Sequence, residues 1–127
     1  KDELREKKNT VASEFTGLEK SKTILIKQIT HMHMFNGLST RLGNGESEAV
    51  TLAVEIDADY IILDDHVARN EAKRIGLNVK GTLGIIDRLC NEKKVRIDDF
   101  KGFYNRLRDM NFRIRKDVFD RVFKGID

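Results

Sequence analysis

Apolar residues recur at helical spacing through the first twenty positions. Leu4, Val11, Phe15 and Leu18 fall on one side, so residues 2–20 read as an amphipathic helix, with a break expected near Gly17. The run Thr23-Ile24-Leu25-Ile26-Lys27-Gln28-Ile29 is β-branched and predicts a strand. Residues 31–38 fit neither period cleanly. Gly43-Asn44-Gly45 is a turn feeding a helix over residues 46–56, with Ala49, Leu52, Ala53 and Ile56 as its apolar stripe. Asp57-Ala58-Asp59 turns the chain into a second strand, Tyr60-Ile61-Ile62-Leu63, which ends on Asp64-Asp65. The next helix carries Val67, Ala68, Ala72 and Ile75 inward and stops at Gly76, a residue type suited to a helix C-terminus. Leu77-Asn78-Val79 is a short strand, and residues 82–92 form a further helix.

This short alternation of helix and strand predicts parallel strands joined by helical crossovers. After Asp98 the pattern is purely helical. Phe100, Phe103, Tyr104 and Leu107 make one face, and Val118, Phe119, Val122 and Phe123 another. A chain of 127 residues without repeats or a low-complexity linker predicts one domain over 1–127. No apolar run is long enough for a transmembrane helix, and the charged opening leads us to expect no signal peptide. Cys90 stands alone, which excludes a disulfide framework and a cysteine-based zinc site. It falls among Ile85, Ile86 and Leu89 and is expected to be a core residue, and the compartment expected is the cytoplasm. His31 and His33, two apart, would share one strand face, but no third ligand stands at zinc spacing.

Charge is polarised along the chain. Residues 1–92 hold 13 Lys+Arg against 15 Asp+Glu, and residues 93–127 hold 11 against 6. An acidic middle beside a basic tail suits a metal-loaded site flanked by a phosphate-binding surface, although a solvated helix pair rich in Arg would carry the same charge. The acids sit where an α/β sheet builds its sites: Glu46 and Glu48 at a helix start, Asp64 and Asp65 at a strand end. Oxygen donors gathered there hold hard cations such as Mg²⁺. Acids at a helix start also complement the helix dipole, and an Asp after a strand also caps the next helix. Of the first pair, Glu48 is expected to face inward, because it leads into the stripe of Ala49, Leu52 and Ala53. Of the second pair, the pleat turns only one toward a shared site, and the choice between Asp64 and Asp65 stays open.

The segments Gly45-Glu46-Ser47-Glu48-Ala49-Val50 and Ala58-Asp59-Tyr60-Ile61-Ile62-Leu63-Asp64-Asp65, with Ala68-Arg69 after them, resemble the PIN-domain family, in its VapC-like branch. The later Gly76-Leu77-Asn78-Val79-Lys80-Gly81-Thr82-Leu83-Gly84 and Phe112-Arg113-Ile114 are similar to that branch too. The resemblance implies a three-layer α/β/α fold with a short parallel sheet. It implies a Mg²⁺- or Mn²⁺-dependent endoribonuclease, homodimers, and a small antitoxin protein as partner to a toxin. Carried over residue by residue, it gives Glu48 as the helix carboxylate, Asp64 or Asp65 as the strand-end carboxylate, and Glu3 as the acid near an early helix start. The family pattern opens with a strand ending in Asp, which has no counterpart here, so the fold is expected to be incomplete at its N-terminus and the chain alone to cleave RNA poorly. Phosphate contacts are expected from Arg69, Arg106, Arg108, Arg113, Arg115 and Lys116. The competing expectation is a non-catalytic nucleic-acid-binding or protein-interaction module on the same fold, using the basic tail without converging carboxylates.

Overall fold

A computed structural model describes the backbone of residues 2–123 and the side chains of residues 11–123. The chain is mostly helical. Its elements are α1 (Asp2–Lys20), α2 (Met32–Leu38), α3 (Asn44–Glu55), β1 (Ile61–Ile62), α4 (His66–Ile75), β2 (Val79–Lys80), α5 (Thr82–Asn91), α6 (Phe100–Asp109) and α7 (Lys116–Val122).

β1 and β2 pair in parallel, Ile61 opposite Val79 and Ile62 opposite Lys80, with α4 as the crossover between them. The Ile61 N–H donates to Asn78 O and the Leu63 N–H to Lys80 O, each at 2.9 Å. The pleat turns Ile61 and Leu63 inward and leaves Ile62 exposed. α4 lies close against this pair because its inward positions, Ala68 and Ala72, are small and fully buried. The helix starts on Asp65, whose carboxylate accepts the Ala68 N–H at 2.9 Å. It ends at Gly76, left-handed at φ 103°, a conformation that a Cβ would oppose.

Two apolar clusters form. The first joins Leu38, Leu42, Val50, Ala53, Ile61, Leu63, Ala68 and Ala72, packing α2, α3 and α4 on the strands. The second centres on Leu83, Phe119 and Phe123, with α6 laid over it. Its rings interlock, with centroids 4.8 Å apart for Phe119 and Phe123 and 5.1 Å for Tyr104 and Phe119. The Tyr104 hydroxyl donates to Ile114 O at 3.1 Å and so anchors the irregular segment between α6 and α7.

Four sequence expectations are corrected. Residues 23–29, expected as a strand, belong to no sheet, because a β-branched run becomes a strand only beside a partner, and none pairs with it among the described residues. The sheet is therefore a two-stranded parallel pair within a mostly helical chain, not the centre of three full layers. α1 runs through Gly17 without a break, and its stripe of Val11, Phe15 and Leu18 is exposed. Cys90 is half-buried rather than in the core. Among the described residues no helix is long and apolar enough to cross a membrane.

Candidate functional site

The two strand-end aspartates diverge, as the pleat requires. Asp65 is spent on capping α4. Asp64 turns toward α5, where Oδ1 accepts the Thr82 N–H at 2.8 Å and Oδ2 accepts the Thr82 hydroxyl at 2.5 Å. Parallel pairing explains the meeting: β1 and β2 end on the same edge, so the residue just after β1 adjoins the start of the helix just after β2. Gly81 makes room for it. A Cβ there would lie 2.7 Å from Arg69 Nη1 and 3.5 Å from Asp64 Oδ1. Arg69, expected as a phosphate contact, uses that Nη1 to donate to Leu63 O at 2.9 Å, tying α4 to the end of β1.

Asp64, His66 and Arg69 form one side of a cleft of about 520 Å³. Phe112, Arg113, Ile114 and Arg115 form another side. The fold thus brings one expected acid and three expected cations, Arg69, Arg113 and Arg115, to a single cleft. Arg108 lies in an adjoining cleft of about 470 Å³, shared with Arg113 and Arg115, while Arg106 lines neither. Arg115 is already paired with Asp117, at 2.7 and 3.0 Å. Burial pushes the Asp117 carboxyl up, but the Arg115 bond and charge, together with the backbone N–H groups of Val118 and Asp117, hold it below its ordinary value. Lys116 reaches Asp120 at 2.5 Å and stands 5.2 Å over the Tyr104 ring, so much of its charge is answered within the chain.

Glu48 lies elsewhere. It is exposed and lines a groove of about 670 Å³ between residues 26–29 and α3. The inward face of α3 runs instead through Ser47, Val50, Thr51 and Ala53, which corrects the expected register by one residue. Ser47 donates to Gly43 O at 2.8 Å, whereas the buried Thr51 hydroxyl has no partner among the described residues. The side chain of Glu3 lies outside the described residues. The structure brings Asp64 to the cations, but Glu48 and Asp64 line different clefts. Among the described residues no group of three or more His, Cys, Asp or Glu side chains is placed to hold a metal ion.

His31 stands at the N-cap position of α2, with no side-chain capping bond, and His33 lies within the helix, so the two share no strand face. The His31 N–H donates to Glu55 at 2.6 Å, beside the Thr30 N–H at 2.7 Å. The His31 bond, and then the Thr30 bonds, overcome the opposing effect of burial and hold the Glu55 carboxyl below its ordinary value. Glu71 is likewise lowered, first by its bond with Arg74 and then by the charge of Arg41, which it meets at 2.6 Å. These acids are occupied in structure.

Thr82, Gly81 and Phe112 emerge as site residues that were not singled out from sequence. The signal for Thr82 was available, since it opens the helix after the second of two parallel strands. Phe112 stood out in the sequence only within Phe112-Arg113-Ile114, as part of the family resemblance and with no role of its own.

A family model described as a PIN domain (DUF3368) matches residues 1–127. No curated relative and no solved structure matches the chain.

Proposed function

The chain belongs to the PIN-domain family (DUF3368), and from that premise we propose that it is a divalent-metal-dependent endoribonuclease that hydrolyses RNA phosphodiester bonds, acting as the toxin of a toxin–antitoxin pair in the cytoplasm. The observation that carries this reading is the shared cleft of Asp64 with Arg69, Arg113 and Arg115, at the carboxyl edge of the parallel strands. Arg69 and Arg113 have no carboxylate partner among the described residues, unlike Arg115, and an oriented carboxylate beside such cations is an arrangement for placing a phosphate next to an acid.

Mg²⁺ or Mn²⁺ fits the chemistry of these donors in part. Such ions keep several waters and take one or two protein carboxylates together with substrate phosphate. Asp64 suits that role, because the Thr82 donors fix its carboxylate and leave further lone pairs. Glu48, which lines a different cleft, stands outside this donor set, and Asp65 supports the site by holding the start of α4. When bound, the cation would activate water and neutralise developing charge on the phosphate. The chain's own contribution is to bind the backbone of RNA through Arg113 and Arg69 and to keep Asp64 aimed at the cleft.

Association as a homodimer belongs to the same reading. Leu25 and Ile26 are 64% and 67% exposed and offer an apolar surface to a second copy. Sedimentation of wild type and Ile26→Lys tests it: the dimer should weaken in the variant, and an unchanged mass would remove this face from the interface.

A second reading is favoured by one observation, the absence of a three-acid group among the described residues. Here the protein binds nucleic acid or a protein partner without cleaving. RNA cleavage by the full-length protein with and without Mn²⁺, compared with Asp64→Asn, separates the two. Metal-dependent cleavage that the variant lacks supports the nuclease, and metal-independent binding with no cleavage supports the module.

A further inference from the structure

Phe112 stands apart from the other rings of the second core. Phe100, Phe103, Tyr104, Phe119 and Phe123 all take part in ring pairs, the widest being Phe103 with Phe123 at 6.1 Å. Among the described residues Phe112 makes none. Its side chain is half-buried and lines both the Asp64 cleft and the adjoining Arg108 cleft. The ring therefore forms part of the wall between two concave surfaces.

Burial alternates along this segment: Phe112 and Ile114 are half-buried, Arg113 and Arg115 exposed. Among the described residues neither Arg113 nor Arg108 has a carboxylate partner, in contrast to Arg115 and Lys116. The cleft itself, about 520 Å³, falls in the range of ~300–1,000 Å³ usual for small-ligand sites. Its walls are apolar at Phe112, Ile114 and Val118, and polar at Asp64 and Arg69. A duplex keeps its bases stacked inside and would meet this ribbon with phosphates alone. A single strand can turn a base outward onto an aromatic face.

We propose that this cleft is a base-binding subsite on a single-stranded nucleic-acid track. A nucleobase lies against the Phe112 ring, and Arg113 and Arg108 hold the phosphates on either side of it. The subsite rests on the nuclease reading above, and it places the bound base beside Asp64, so Phe112 sets the preference for single strands at that site.

The test is fluorescence anisotropy of a labelled short oligouridylate and of an RNA duplex of the same length, in EDTA, so that binding is read without metal or cleavage. Phe112→Ala should weaken single-strand binding about tenfold while leaving duplex binding within about twofold. Phe112→Leu keeps the apolar contact with the core but offers no π-face, and should lose nearly as much while melting at the wild-type temperature. Arg113→Gln should weaken both ligands and lower the salt slope on the single strand by about 0.7. A folded Phe112→Leu that binds oligouridylate as tightly as wild type overturns the proposal. So does an equal loss on both ligands. So does a wild type that binds no oligouridylate but takes a protein partner in a manner blocked by Arg113→Gln. Failure of the nuclease reading looks different: the full pattern of single-strand binding, with no Mn²⁺-dependent cleavage by wild type.

Discussion

Thr82 holds Asp64 with two donors at once, its backbone N–H on one carboxylate oxygen and its hydroxyl on the other. The grip fixes the carboxylate plane and joins the end of β1 to the start of α5. Thr82→Val removes the hydroxyl bond and keeps the backbone one. It should lower stability by about 1 kcal/mol at this half-buried position and, on the proposed function, reduce Mn²⁺ affinity roughly tenfold. Thr82→Ser should restore both. Chemical denaturation and metal titration of the three proteins check this, and a Val variant that titrates Mn²⁺ like wild type would show that the orientation of Asp64 does not matter to metal.

Gly81 is tested through Arg69. Its φ of −100° suits any residue, so the constraint is space alone. A Cβ at 81 would push the Arg69 guanidinium away from Leu63 O. Gly81→Ala should cost on the order of 1 kcal/mol, the worth of that bond. In an Arg69→Ala background the same substitution should be nearly neutral. A double-mutant cycle by urea denaturation reads the coupling directly, and simple additivity would locate the restriction elsewhere.

Acid should loosen the approach to α2. Glu55 has its carboxyl held below the ordinary value of 4.5 by the N–H groups of His31 and Thr30. A group whose pKa is lowered on folding stabilises the fold above its unfolded value, and the contribution fades as pH falls through the folded value. Protection of the Thr30 and His31 amides from hydrogen exchange should therefore drop below about pH 4.5. Glu55→Gln should show lower protection that no longer depends on Glu55 protonation. Equal pH profiles for the two proteins would remove Glu55 from the anchor.

The second core depends on Phe119, which is 1% exposed and touches three other rings. Phe119→Ala should destabilise the protein by about 3–5 kcal/mol, the usual loss for a buried ring. Phe119→Leu should recover part of it. Thermal and urea unfolding of the pair measures the difference, and a loss within experimental error for the Ala variant would mean that this core does not support the fold.

What could be read from sequence follows from which signals are local. α4 was legible at its C-terminus because Gly76 is a cap residue whose preference needs no tertiary context, and its start was legible only as following the Asp64-Asp65 pair. β1 was legible because Ile61 and Leu63 must be buried while its ends carry aspartates. Residues 23–29 carry a strand signature but stand in no sheet, since β-branched residues favour extension but cannot supply a partner. Asp64 and Asp65 could not be separated, because the choice depends on where α5 begins relative to β1, a contact across eighteen residues. Glu48 was set inward one position out of register, because Ala49 and Leu52 are apolar but only half-buried, and Ser47 and Thr51 occupy the buried face. The cleft partner of Asp64 was least legible. Phe112 and Arg113 reach it only through the packing of α6 and α7 against α5.

The central claim is that Asp64 and the arginines beside it make a metal-dependent ribonuclease site. Its most direct test is cleavage of a uniformly labelled single-stranded RNA by the full-length protein across a Mn²⁺ titration, with Asp64→Asn and Arg113→Gln alongside wild type. The expected result is wild-type cleavage that rises with Mn²⁺ and vanishes in EDTA, is lost in Asp64→Asn, and in Arg113→Gln persists with weaker RNA binding. Cleavage that is indifferent to Mn²⁺, or that survives intact in a folded Asp64→Asn, would contradict it.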